Sequence, residues 1–242
     1  FRRVLFRSVK QLNEIEELGE GIRCKAASQL LGIPMLGSSE PDHVVVFNSF
    51  LHSRNDPILL PTKTVGSKVL VDDESRVLGH QHITEMDGQT YLLAQLPTIP
   101  AMSYRIFRLI PHPHGEARTD TQIIQAGELL LENEFLRVKF NKEGEILSLW
   151  DKEFKREVLV EGQRGNHFQL FEDMPGKYDA WDIVASFADH EIPLSETGTL
   201  VLDETGPVRT SLRLEKSFLN SIIKQRISLY AGTRQLVFET HI

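Results

Sequence analysis

Apolar residues fall at Val9, Leu12, Ile15, Leu18, Ile22, Ala26 and Leu30, in steps of three and four that trace one face of an α-helix. The spacing predicts a helix over 9–31. Ser8 is placed to cap its start, and Gly32 followed by Pro34 makes a conventional stop. Gly19 and Gly21 each cost up to ~1 kcal/mol of helix propensity against alanine, so packing must hold this helix. One helix cannot bury its own stripe, and no second helical pattern follows. Its partners are expected in the β-region or outside the chain.

After GSSEPD (37–42) the period changes. HVVVFNSF, SKVLV, TYLLAQL and MSYRIFRLI are short segments rich in β-branched and aromatic residues, separated by turn formers. In the last of them Met102, Tyr104, Ile106 and Arg108 share one face, and Ser103, Arg105, Phe107 and Leu109 the other. Neither face is purely apolar. The pattern predicts a small antiparallel sandwich of about 70 residues ending near Pro111. The polar, proline-containing stretch PHPHGEARTDTQ reads as a linker. A second β-region then begins: EFLRVKF, a turn at NKEG with Gly144 supplying positive φ, EILSLW, and a turn at DKEF. Further on come a long hairpin turning at DETGP and a strand pair joined at AGT.

Composition narrows the class. Of 242 residues, 40% are hydrophobic and 25% charged, as in a soluble globular protein. No apolar run approaches the ~20 residues of a membrane-spanning helix. The net charge of −7 argues against nucleic acid as a partner, since that affinity rests on clustered Lys and Arg. A single cysteine, Cys24, excludes an intrachain disulfide framework and a cysteine-rich zinc site. A cytoplasmic home is the default expectation. The opening FRRVLFRS lacks an initiator Met and a signal-peptide core, and the closing QLVFETHI stops inside a strand-like pattern. Both ends read as cut.

Candidate chemistry is sparse. His80/His82 and His112/His114 are His-x-His pairs, and on a strand such neighbours share a face that could ligate a metal. No third ligand stands near either pair, so both are set aside. Gly-x-Ser-x-Gly and glycine-rich phosphate loops are absent. Cys24, between Arg23 and Lys25, has the basic neighbours of a reactive thiol, though such cysteines are more often packing residues. The densest stretch is FQLFEDMPGKYDAWDI, 168–183, which gathers Glu172, Asp173, Asp179 and Asp182 with Phe168, Phe171, Tyr178 and Trp181. Paired carboxylates serve glycosidic hydrolysis, and aromatic rings suit the apolar face of a sugar. An acidic turn whose carboxylates hold its own backbone amides explains the same residues. Catalytic centre, ligand rim and structural turn all remain open on the residues alone.

GNHFQLFEDMPGKYDAWDI resembles the segment of glycoside hydrolase family 38 α-mannosidases reading G-N-x-F-x-L-(Y/F)-x-D-x-P-x-x-(Y/W)-D-A-W-D. VVVFNSFLHSR is similar to the strand opening that family's first β-domain, with the usual Leu-Ser-Trp-Pro-Arg replaced by SFLHSR. IPAMSYRIFRL is similar to the strand closing it, and LENEFLRVKFNKEGEILSLWDKEFKREVL to the entry into the large C-terminal sandwich. IIKQRISLYAGTRQLVFETHI matches a later strand pair. The matches run in order over about 9–242.

The resemblance implies a mainly β chain: a single N-terminal helix, a small antiparallel β-sandwich, then an incomplete large β-sandwich of the galactose-mutarotase-like type. The implied domains are 1–37, the last helix of a three-helix bundle; 38–111, the small sandwich; 112–126, the linker; and 127–242, the first part of the large sandwich. It further implies part of a retaining, zinc-dependent α-mannosidase acting on terminal α-mannosides of oligosaccharides. The nucleophile, acid/base and zinc ligands would lie on an N-terminal barrel upstream of Ser8, so no catalytic or metal residue is assigned here. Asp173, Tyr178, Asp179, Trp181 and Asp182 are implied to serve the substrate rim or a domain interface. The implied partners are the oligosaccharide, the barrel and, among roles open to the β-domains, a second copy of the protein. The rival expectation is a stand-alone carbohydrate-binding sandwich with Tyr178 and Trp181 as its platform.

Overall fold

The computed structural model describes residues 2–32, 42–112, 125–127, 129–174, 176–178, 181–194 and 198–242. A helix runs from Arg2–Leu31. Ser8 therefore lies inside it and does not cap its start, a correction to the sequence reading. The helix period extends back through good helix formers, Arg and Leu, at its beginning. Gly32 ends it at φ +66°, the left-handed position glycine adopts without penalty; Pro34 lies outside the described residues. Phe1–Pro41 form one compact unit and Asp42–Ile242 another. Among the described residues of the predicted stripe, Leu12, Ile15, Leu18, Ile22 and Leu30 all stand exposed.

The second unit is built from antiparallel sheets. β1 (His43–Asn48), β2 (Ile58–Pro61), β3 (Lys68–Val71), β4 (His80–Thr84), β5 (Thr90–Ala94) and β6 (Ser103–Pro111) form two three-stranded sheets, ordered β1-β6-β3 and β2-β5-β4. Leu70, Phe107 and Leu109 of one sheet pack with Leu92 and Ala94 of the other. Of the two faces on β6 it is the Phe107 and Leu109 face that is buried, while Tyr104 and Ile106 point outward. Arg105 shares the inner face but lays its guanidinium toward the Phe107 ring, 5.6 Å from the centroid.

β7 (Gln125–Gly127), β8 (Leu130–Glu132), β9 (Leu136–Phe140), β10 (Ile146–Asp151) and β11 (Arg156–Glu157) make the next sheet, ordered β11-β10-β9-β8-β7. β12 (Leu170–Phe171) pairs with β13 (Glu191–Ile192). β14 (Gly198–Glu204), β15 (Arg209–Phe218), β16 (Ser221–Tyr230) and β17 (Leu236–His241) form a four-stranded sheet in chain order. Leu131, Val138, Phe140 and Ile146 of the five-stranded sheet bury against Leu212, Ile227 and Leu229 of the four-stranded one. Each such side chain contributes ~1.5–3 kcal/mol on full burial. The NKEG turn needs its glycine twice over. Gly144 has φ +83°, and a Cβ there would lie 2.7 Å from Leu214 Cδ2.

A third cluster joins the two sandwiches. Ile83 and Leu93 of the small one meet Val208, with Tyr91 and Tyr230 packed around them.

Candidate functional site

The carboxylate- and ring-rich stretch is an excursion between β12 and β13. Phe171 lies on β12 with its ring 5.2 Å from Phe187, edge to face, which closes the root of the loop. Beyond that root the loop turns outward. Trp181 is 92% exposed, Ile183 66%, Tyr178 62% and Met174 51%. Tyr178 carbonyl accepts from the Trp181 and Asp182 amides, both at 2.9 Å, and Lys177 lies over the Tyr178 ring at 5.5 Å. Asp173 and Asp182 are exposed, and neither carboxylate has a partner among the described residues. The reading in which they hold backbone amides of their own loop is thus not what these two do. Asp179 lies outside the described residues. The loop presents rings and free carboxylates to its surroundings, without the burial that would tune a catalytic acid.

The residues just before the loop are organised far more tightly. Asn166 adopts φ +53°, and its Nδ2 donates to Gly144 O at 2.9 Å and Gln225 Oε1 at 2.7 Å. This pins the GNHF segment to the β9–β10 turn and to β16. Next to it His167 Nδ1 donates to Glu145 Oε1 at 2.5 Å. Arg164 Nη1 and Asn141 Nδ2 donate to Glu145 Oε2 at 2.6 and 2.7 Å. Burial pulls the Glu145 pKa up, but His167, Arg164 and Asn141 outweigh it and hold the carboxyl below its usual range.

Charge is most deeply buried where the small sandwich meets the four-stranded sheet. Arg209 and Arg226 side chains are 4% and 8% exposed. Glu85, at the end of β4, inserts between them, accepting from Arg209 Nη1 at 2.9 Å and from Arg226 Nη1. Arg209 also forks onto Glu204 at 2.6 and 3.0 Å, and Arg226 Nε donates to Asp203 Oδ2 at 2.9 Å. Burial works against the Arg209 charge, but Glu204 and Tyr230 more than offset it and leave its pKa raised. Gln81 completes the joint: its Oε1 accepts from the Val208 and Arg209 amides at 2.9 and 2.8 Å, and its Nε2 donates to Arg209 O at 3.1 Å. Every charge here has a partner, and Glu85 is the one that carries the ion pairs across the interface, as a fixed structural joint requires. Sequence reasoning missed these residues, because a buried arginine on a strand looks like any solvent-facing one.

Of the histidine pairs, His80 and His112 come together. His80 Nδ1 donates to Leu78 O at 2.9 Å, and its ring lies 5.4 Å from that of His112. Burial, with His112 and His82 nearby, lowers its pKa despite the Leu78 carbonyl. His114 lies outside the described residues. Among the described residues no three His, Cys, Asp or Glu side chains gather as a metal would need. Cys24 Sγ lies 3.6 Å from Glu20 Oε1, and Arg23 turns to that same glutamate at 2.7 Å instead of to the thiol.

The arrangement is one of packed antiparallel sheets with an outward loop, a β-sandwich architecture. Residues 131–242 match the glycosyl hydrolases family 38 C-terminal domain. The chain is 34% identical over 164 residues to alpha-mannosidase 2C1 of Homo sapiens, covering 64% of this chain and 15% of that protein. It is 28% identical over 123 residues to alpha-mannosidase G of Dictyostelium discoideum, covering 48% of this chain and 11% of that one. The crystal structure of an alpha-mannosidase from Enterococcus faecalis V583 shares the fold, with TM-score 0.53 at 15% identity over 82% of this chain and 29% of that chain. The chain thus spans a small part of the length of its relatives.

Proposed function

We propose that this chain is the β-rich part of a retaining α-mannosidase acting on terminal α-mannosides of oligosaccharides, and that it supports the reaction without performing it. The boundaries 1–37, 38–111, 112–126 and 127–242 belong to the same reading. So does a cytoplasmic home; among the described residues no helix is long and apolar enough to cross a membrane. A retaining glycosidase uses two carboxyl groups ~5–5.5 Å apart, one attacking the anomeric carbon and the other moving the proton. In this reading those groups, and zinc with its ligands, come from a separate catalytic barrel. The described residues offer no ligand set that fits zinc, so no step is assigned to a metal here.

The observation that carries the proposal is the loop. Trp181, Tyr178 and Ile183 together expose a large apolar surface beside Asp173 and Asp182, and such surface marks a docking or ligand edge. Asp179 is assigned to the same edge by its place in the motif. The catalytic barrel and the sugar are the two partners such an edge suits. The experiment is hydrolysis of an aryl α-mannoside by the polypeptide of the complete reading frame, wild type and Trp181→Ala. Turnover with a several-fold loss of kcat/KM in the variant is expected; a variant indistinguishable from wild type removes the loop from the account. In the rival reading, a stand-alone sugar-binding module, this chain alone binds mannose and Trp181→Ala abolishes that binding.

A further inference from the structure

The alternation along β15 puts Leu212, Leu214 and Lys216 on one face, and all three are buried. Lys216 therefore stands, only 8% exposed, where the pattern reserves an apolar side chain. Inward-pointing lysines commonly guard a sheet edge against unwanted pairing. β15 has no edge to guard, being flanked by β14 and β16. A buried ion pair would be the other ordinary reason. Lys216 has neither a hydrogen-bond nor an ion-pair partner among the described residues. Its stem is buried while the ammonium keeps access to a cleft, so the group faces a space where a ligand can supply the partner that the described residues do not.

Lys216 lines a polar cleft of about 470 Å³ together with Glu143, Glu145, Arg164, Phe168 and Glu191, within the ~300–1,000 Å³ of small-molecule sites. The GNHF segment builds one wall of it, with Asn166 holding Phe168 and His167 in place. The cross-strand neighbour of the lysine is Gly198. A Cβ on Gly198 would already sit 3.4 Å from Leu214 Cδ1 and 3.5 Å from Glu143 O.

We propose that this cleft binds a neutral polyhydroxylated ligand, a single sugar ring, through Lys216, Glu143 and Glu191. Glu145 is already saturated by His167, Arg164 and Asn141. Glu143 and Glu191 have no side-chain partner among the described residues. An anion would face three carboxylates against Lys216 and Arg164, and a metal ion would face those two bases. A hydroxyl both donates and accepts. Neighbouring hydroxyls of one ring accept from Lys216 and donate to Glu143 and Glu191, while Phe168 meets the ring's apolar C–H face. The inference needs only the cleft and holds whether or not the hydrolase reading does.

Saturation-transfer NMR and calorimetry on the full 242-residue chain test it, with D-mannose, D-glucose and inorganic phosphate as probes. Monosaccharide binding with Kd on the order of 1–10 mM is expected, the range of a few hydrogen bonds and one stacked ring. Lys216→Met and Glu191→Gln should each weaken it at least tenfold. Glu191 is exposed, so its variant carries the test even if the lysine variant fails to fold. Phosphate bound in preference to sugar, sugar binding that survives both substitutions, or no transfer from either monosaccharide overturns the proposal.

Discussion

At the scale of single residues, asparagines in three of the five family-like segments, Asn48, Asn133 and Asn166, turn out to be organisers of the chain. Asn133 Nδ2 donates to Tyr230 O and Thr233 O, both at 2.8 Å, while its Oδ1 accepts from the Phe135 and Leu136 amides. Asn48 does the same for the small sandwich, donating to His52 O and Pro100 O. Their value as markers was legible in the sequence. Their work was not, since Asn133 joins segments about a hundred residues apart and no local pattern announces that. Asn133→Ala should cost about 2–4 kcal/mol, because it strands buried backbone groups on both segments; the urea midpoint reads it. Titration supplies a second test. Glu145 has a lowered folded pKa, so its stabilisation is present above the unfolded value near 4.3 and is lost as pH falls through the folded one. His80, also lowered, acts in the same direction below about pH 6.5. Urea unfolding between pH 7 and pH 3 should show stability falling toward acid, with Glu145→Gln flattening the lower part of the slope and His80→Gln the upper. A stability that rises toward acid contradicts both assignments.

At the scale of elements, the hairpins were readable because turn chemistry and alternation agree there. DETGP, AGT and NKEG each sit between the strands they were expected to join. β2 and β4 escaped the pattern for physical reasons. β2 is a four-residue edge strand ending on Pro61, where proline is tolerated. β4, HQHIT, looks too polar for a strand, yet Gln81 and the following Glu85 face the second sandwich and find their partners there. Gly206 belongs to that joint, since a Cβ on it would lie 2.2 Å from Gln81 Oε1. Glu85→Ala should cost about 3–5 kcal/mol, the usual penalty for leaving buried charges without their partner. The loop behaves oppositely. With Trp181 at 92% exposure, Trp181→Ala should change stability by no more than about 0.5 kcal/mol. Equal stability of the Glu85 variant and wild type would remove the joint from the account.

At the scale of the molecule, two stacked sandwiches and one long helix were legible as a mainly β chain, because the period changes from helical to strand-like after residue 42. The cleft around Lys216 was not. Alternation puts Lys216 on the Leu212 and Leu214 face, but the cleft around it is made by segments distant in sequence, among them the GNHF stretch and Glu191. The densest acidic stretch, which looks catalytic by composition, is an exposed loop. The central claim is that these residues support hydrolysis by carboxylates located elsewhere. The most direct test compares aryl α-mannoside hydrolysis by the complete polypeptide with hydrolysis by these 242 residues alone, each with and without added zinc. The complete polypeptide should turn over and the isolated chain should not. Turnover by the isolated chain, or none by the complete polypeptide, would contradict the account.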